Sequence, residues 1–445
     1  MNLLIQNGRI IDPSQKIDRI ADLLIVDGKV AQISTVGAGL KPAPTVLDAT
    51  DMIVCPGFID LHCHLRQPGF EEKETIASGT MAAARGGYTT VCCMPNTDPP
   101  IDTSKGVEQV KRIANKKGVV RVLPIGCVTE GRSGGKLVDM SALSRAGAVA
   151  FSDDGSPVWD SEIMRQALEQ SKTLGLLIID HCEDLTLAEH GVINAGMVAA
   201  KLGYKGIPVA AEERMVARDI ELAKQTRGRL HIAHVSTAGS VELIRQAKKQ
   251  GINVTAEVTP HHLTLTEEAV ITCGTNAKVN PPLRTEEDIS ALIDGLREGV
   301  LDAIATDHAP HTKADKAQSF DRAAFGISGF ETALGSLMSL VHRDKIGLPA
   351  LISKLTREPA QIIRSSELLG SLKVGLLADI TIFDPNAEWT VEPGDFASKG
   401  KNTPLAGTLL KGKVMATIVT GKIAYRDEIV PRGQGSGPSV SPISQ

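Results

Sequence analysis

His62 and His64 close a short apolar run, Phe58 to Leu61, within the stretch PGFIDLHCHLRQPG at positions 56–69. In an extended segment alternate side chains share a face, so the two imidazoles point one way and Cys63 the other. Two imidazoles on one face make half of a metal site. The remaining ligands must come from other strand ends, and the sequence offers them: Asp153 and Asp154 in SDDG, His181 and Glu183 in HCED, His234 in HIAHVS, and Asp307, His308 and His311 in ATDHAPH. Four imidazoles and two carboxylates exceed what one tetrahedral ion takes. Two ions about 3.5–4 Å apart, sharing a carboxylate and a hydroxide, use them all. His62, His64 and Asp307 suit the more buried ion and His181 with His234 the other, bridged from the Asp153–Asp154 pair. Nitrogen and oxygen ligands of this kind suit Zn²⁺ best.

These residues need a scaffold that delivers strand ends to one rim. Eight apolar runs alternate with helix-period segments: Phe58 to Leu61, Thr89 to Met94, Val122 to Val128, Ala148 to Phe151, Leu176 to Ile179, Leu230 to Ala233, Val254 to Val258 and Ala303 to Thr306. Eight such alternations predict a (β/α)8 TIM-like barrel over 56–365, whose catalytic rim is the carboxyl end of its strands. Residues 1–55 and 366–431 have a different texture, short strands with turn signals such as Asp27-Gly28. Neither set makes a core alone, so together they predict one small β-sandwich built from both termini. Two helix-period segments between 329 and 363 are expected to cover the outside of the barrel. Residues 432–445 have no apolar period and read as a disordered tail.

The 445 residues are 42% hydrophobic with a net charge of −4, enough for one large and one small core. Acids and bases are interspersed and aromatics reach only 3%, which excludes a nucleic-acid-binding face and a base-stacking platform. The start, MNLLIQNGRIIDP, predicts neither a signal peptide nor a spanning helix. The seven cysteines are odd in number and form no Cys-x-x-Cys pair, so a reducing cytoplasmic location is expected.

Taken together, the stretches PGFIDLHCHLRQPG, CMPNTDPP (93–100), AFSDDG (150–155), HCED (181–184), HIAHVS (231–236), EVTPHHL (257–263), KVNPPLR (278–284), ATDHAPH (305–311) and FGISGFET (325–332) resemble the dihydroorotases of the amidohydrolase superfamily, in the bacterial class I form. They run in the family's order through nearly the whole chain. The resemblance implies reversible cyclisation of N-carbamoyl-L-aspartate to L-dihydroorotate plus water, in pyrimidine synthesis. It implies two Zn²⁺ per chain, held by His62, His64, Asp154, His181, His234 and Asp307, with Asp154 and a hydroxide bridging and Asp307 as the catalytic proton carrier. It also implies substrate contacts from Arg66, Asn96, Asn280, His311, Phe325 and Gly326. Asp153 is left to orient its loop, and His261 with His262 to pack behind the site. His231, three residues before His234, is expected on the opposite face of its strand.

Related hydantoinases and allantoinases carry a carboxylated lysine where this chain has Ser152, Asp153 and Asp154; no lysine occurs between Lys136 and Lys172. That disfavours a hydantoinase-type reading. A non-catalytic scaffold subunit for aspartate transcarbamoylase is disfavoured because every ligand is kept. The resemblance implies a homodimer or higher homo-oligomer, and is compatible with a complex with aspartate transcarbamoylase.

Overall fold

The computed structural model describes residues 2–34 and 44–427, so the expected tail at 432–445 lies outside the described residues. Parallel strands Phe58–Cys63, Tyr88–Cys93 and Arg121–Pro124 form one ladder. Ile178–Asp180, Leu230–Ile232, Val254–Val258 and Ala303–Ile304 form a second. Parallel bridges of Gly126 with Phe151, Phe151 with Ile178, and Cys63 with His308 join the two ladders into a closed ring. All eight runs therefore take part in the expected barrel. The fourth pairs through isolated bridges at Phe151, with Val149 N and Ser152 N bonded to Pro124 O and Gly126 O, and the chain turns away beyond Ser152. There the Asp153 carboxylate takes the N–H groups of Val128 and Thr129, at 2.9 and 3.2 Å.

The barrel interior is filled by Leu61, Cys92, Ile125, Ala150, Leu177 and Ile179, drawn from five successive strands. Ile362 and Ile363 pack beneath them. The segment after the barrel, helices Phe330–His342, Leu348–Leu355 and Arg357–Ile362, thus does more than cover the outside: its end plugs the floor. Helices between the strands begin where short polar side chains cap them. Thr75 accepts from Ser78 N ahead of Ile76–Arg85, and Thr285 from Asp288 N ahead of Glu286–Glu298. No helix among the described residues is long and apolar enough to cross a membrane.

The two termini meet in one eight-stranded sheet. Its order is Lys422–Arg426, Leu409–Val419, Ile380–Thr390, Ile53–Pro56, Leu3–Asp12, Ile17–Val26 and Lys29–Ser34, with Thr45–Asp48 also paired to Leu3–Asp12. The sheet curls until Val30 N reaches Leu376 O at 3.0 Å, enclosing a second core of Leu3, Ile5, Ile10, Leu23, Ile380 and Ile418 among others. The architecture is the expected one, a barrel with a β-sandwich drawn from both ends of the chain.

Arg121 joins the two units. Its Nη1 donates to Asp379 Oδ2 at 2.6 Å and to Thr90 Oγ1 at 2.9 Å, and Asp379 is 5% exposed. Arg121→Met leaves that carboxylate without its cation, so a loss of about 1–3 kcal/mol is expected, less than for a fully buried pair because Arg121 is partly solvated. A lowered Tm with unchanged metal content checks it; an unchanged Tm would show that the link contributes nothing.

Candidate metal centre

Ile59 and Leu61 face the barrel interior, and strict alternation would then turn His62 and His64 away from it. A register shift between Asp60 and Cys63 corrects this. Asp60 holds the irregularity, accepting from Thr306 N at 2.8 Å and Thr306 Oγ1 at 2.7 Å. Cys63 points outward, as expected, with its thiol on Cys92 O. A second device operates at His234 and Asp307, whose φ values are +32° and +45°. Non-glycine residues rarely take this left-handed conformation, and here it swings each side chain over the barrel mouth.

The six expected ligands converge. Asp154 Oδ1 lies 3.3 Å from His62 Nε2, 3.5 Å from His234 Nε2 and 3.9 Å from His181 Nδ1, while Oδ2 lies 3.5 Å from His64 Nε2. One carboxylate therefore sits among all four imidazoles. Asp307 Oδ1 is 2.9 Å from His64 Nε2 and 3.6 Å from His62 Nε2. His181 Nδ1 and His234 Nε2 are 2.9 Å apart. His62, His64 and Asp307 form one group with metal-ligand spacing, and His62, Asp154 and His234 another, all buried.

The donor set fits divalent ions on three grounds. First, the outward nitrogens are taken: His62 Nδ1 by Glu257 Oε1 at 2.8 Å, His64 Nδ1 by Asn96 Oδ1 at 2.9 Å, and His181 Nε2 faces Glu183 Oε2 at 3.5 Å. An N–H donated outward leaves the inward nitrogen as a lone pair for an ion. Second, His62 Nε2 and Asp154 Oδ1 are buried without a hydrogen-bond partner. Third, anionic carboxylates persist despite burial. Burial pushes Asp154 up, but positive charge on the imidazoles around it, His62 foremost, holds it well below the usual carboxylate range; with the imidazoles neutral as ligands, bound ions would supply that charge. Asp307 is lowered in the same way, burial being outweighed by the His64 hydrogen bond and the His62 charge.

Glu257 is the residue that the sequence reading quoted without a role. Inside the barrel it joins His62 to His231, whose Nε2 is 3.1 Å from Glu257 Oε2 and whose Nδ1 is 2.8 Å from Thr255 Oγ1. Burial raises Glu257, yet hydrogen bonds from His231 and His62 bring it to about 2. His231 is thus a support beneath the candidate metal ligands. Counting along the strand misplaced it relative to His234, because the left-handed backbone of His234 breaks the alternation. A glutamate at an inward strand position below the ligands was the available signal.

A cavity of about 260 Å³ opens over the ligands, lined by Arg66, Asn96, Asn280, His311, Phe325 and Gly326 together with His64, Asp154, His181, His234 and Asp307. Every expected substrate residue reaches it, although several are already engaged. Asn96 holds His64, and Asn280 Nδ2 donates to Glu183 Oε2 at 3.2 Å. His311 Nε2 donates to Phe325 O at 2.8 Å and lies 3.2 Å from Arg66 Nη2. Burial and then the Arg66 charge lower His311 to about 3, so it is neutral. Burial lowers Arg66 to about 10, so it stays a cation at neutral pH. Asp153 is turned away onto Val128 and Thr129, and His262 onto Thr259 Oγ1 and Pro281 O. His308 Nδ1 accepts from Gly329 N at the start of helix Phe330–His342, with Nε2 toward Glu74.

A closed parallel barrel with His and Asp ligands at its carboxyl rim, joined to a β-sandwich, defines the metal-dependent amidohydrolase class. Residues 51–240 match the family described as Dihydro-orotase-like. The chain is 53% identical over 432 residues to a dihydroorotase of Thermoanaerobacter sp. (strain X514), covering 96% of this chain and 98% of that protein. It is 52% identical over 430 residues to one from Caldanaerobacter subterraneus subsp. tengcongensis, covering 96% and 98%. Among solved structures, the L-hydantoinase of Arthrobacter aurescens superposes with a TM-score of 0.86 at 26% identity, covering 97% of this chain and 96% of that one. The chain belongs to the dihydroorotase family.

Two substitutions separate the aspartates. Asp154→Ala is expected to lose much of the bound metal, whereas Asp153→Ala keeps measurable binding; equal loss in both, measured by elemental analysis, would overturn the assignment. Glu257→Gln keeps the shape but removes the charge that orients His62, so metal affinity is expected to fall by about 10–100-fold. Competition with a chelator measures it, and wild-type affinity would remove Glu257 from the support of the site.

Proposed function

We propose that this chain is a zinc-dependent dihydroorotase, interconverting N-carbamoyl-L-aspartate with L-dihydroorotate and water. The observation that carries the reading is the Asp154 carboxylate among four imidazoles, under a pocket with one guanidinium, Arg66, at its rim. Membership of the dihydroorotase family supports the same substrate pair. Two divalent ions held by His62, His64, Asp154, His181, His234 and Asp307 would polarise the scissile amide carbonyl and acidify the attacking water.

The protein's own groups do the rest. Arg66 can pair through its planar fork with the substrate carboxylate, with Asn96 Nδ2 and the neutral His311 beside it. Asn280 stands at the opening as a donor for the ring. In hydrolysis Asp307, as the carboxylate, takes a proton from the attacking water and passes it to the leaving ring nitrogen. In ring closure the same carboxylate takes the proton of the attacking carbamoyl nitrogen and delivers it to the departing oxygen, the reverse of the same path. A lysine-bridged hydantoinase chemistry is not favoured, since the bridging position holds Asp154.

Arg66→Met should leave metal content intact and lower kcat/KM for dihydroorotate by an amount equivalent to about 2–5 kcal/mol, the cost of an unpaired buried carboxylate. Were wild type to hydrolyse 5,6-dihydrouracil, which lacks that carboxylate, as well as dihydroorotate, the specificity assignment would be wrong. Hydrolysis is expected to rise with pH and ring closure to fall, through one apparent pKa belonging to the site as a whole. Asp307→Asn should lower both directions together by about 10²–10⁴. Near-normal turnover by a metal-replete Asn variant would take Asp307 out of the proton transfer.

A further inference from the structure

One wall of the pocket is an irregular segment between the short helix Lys313–Lys316 and Ile327, and it carries Phe325 and Gly326. An irregular stretch ordinarily gives its carbonyls to water. Here they turn inward onto two ammonium groups. Lys278 Nζ donates to Phe320 O at 2.6 Å, Ala323 O at 2.7 Å and Asp321 O at 3.2 Å. Lys316 Nζ donates to Ala324 O at 2.8 Å, Gly326 O at 3.0 Å and Lys278 O at 3.4 Å. The remaining carbonyl next to the pocket, Phe325 O, is taken by His311 Nε2. The Lys278 ammonium also lies 4.3 Å from the centre of the Phe325 ring.

Both lysines are buried, at 1% and 6% exposure, and among the described residues the hydrogen bonds of both ammonium groups go to main-chain carbonyls and none to a carboxylate. A buried ammonium is tolerated only when its three protons are all received, and each here meets three carbonyls. For stability alone an apolar side chain of similar volume would serve as well or better. What a point cation adds is convergence: it draws carbonyls from separate residues to one centre and so dictates the path of the chain. That path is close-fitting. Gly326 N donates to Lys278 O at 2.9 Å, and Gly326 has φ +136°. A Cβ there would lie 2.6 Å from Ala309 Cβ, two residues after Asp307.

Resting on the reading above that the pocket takes a ring substrate, we infer that Lys278 and Lys316 are positioning residues. They fix the Phe325–Gly326 wall, and His311 through Phe325 O, at the spacing that substrate requires. The wall is then formed before substrate arrives, and its ordering is not charged against binding.

The test uses the metal-loaded full chain with Lys278→Met and, separately, Lys316→Met. Hydrogen–deuterium exchange of peptides covering 317–327 is measured without substrate, alongside metal content and the kinetics of dihydroorotate hydrolysis. The expected result is exchange about tenfold or more faster in that segment alone, with metal content unchanged. KM should rise about tenfold while kcat stays within about threefold, a split that general loosening of the fold does not produce. Wild-type protection in 317–327, or a fall in kcat at unchanged KM, would overturn the inference. Lys316 serves the same carbonyl cluster from the short helix Lys313–Lys316, so its variant decides the matter if Lys278→Met does not fold. Should wild type fail to turn over dihydroorotate, the proposed function falls, while the exchange comparison still tests the lysine clamp.

Discussion

Asp154 is the constraint around which the molecule is arranged. A carboxylate buried among four imidazoles at 3.3 to 3.9 Å is stable only if charge and hydrogen-bonding capacity are matched on every side. The imidazoles must therefore be held against one another at close range, 2.9 Å in the case of His181 and His234. Such crowding has no reason to persist in a site without cations. It is the geometry expected where divalent ions would supply the positive charge between the ligands.

The surroundings answer that requirement at three depths. In the barrel, Glu257 and His231 form a hydrogen-bonded column under His62. At the strand ends, the register shift after Asp60 and the left-handed backbones of His234 and Asp307 aim side chains that regular strands would misdirect. Above, Asn96 and Glu183 each hold one ligand while also bordering the substrate cavity or its Asn280 donor. These side chains touch both the candidate metal ligands and the residues that line the cavity above them. The rim segment fixed by Lys278 and Lys316 completes the enclosure, and Lys278 stands two residues before Asn280 in the loop that follows the short turn Gly274–Ala277.

Much of this was legible in the sequence, for physical reasons that can be named. The His-x-His spacing survives because positions i and i+2 keep a common face even when the strand as a whole is irregular. Eight apolar runs specify a barrel because parallel strands buried on both faces have no polar alternation to obscure them. Choosing Asp154 over Asp153, by contrast, needed the family resemblance; the structure separates them by giving Asp153 two backbone N–H groups. His231 was misplaced because counting by two cannot foresee a positive φ at His234. Glu257, Lys278 and Lys316 drew no functional reading, since each acts through groups distant in sequence. The inward strand position of Glu257 was a signal, but nothing local names the imidazoles it meets, and Lys278 and Lys316 lie outside the strands with no local sign of the carbonyls they gather.

The central claim is that six side chains from five strand ends hold two ions across Asp154. It is tested most directly by anomalous diffraction at the zinc edge from zinc-loaded crystals, with metals per chain and dihydroorotate turnover measured on the same preparation. The account predicts two peaks, one on either side of the Asp154 carboxylate, and turnover that reaches its maximum only as the second site fills. A single peak with full turnover, or peaks remote from Asp154, would contradict it.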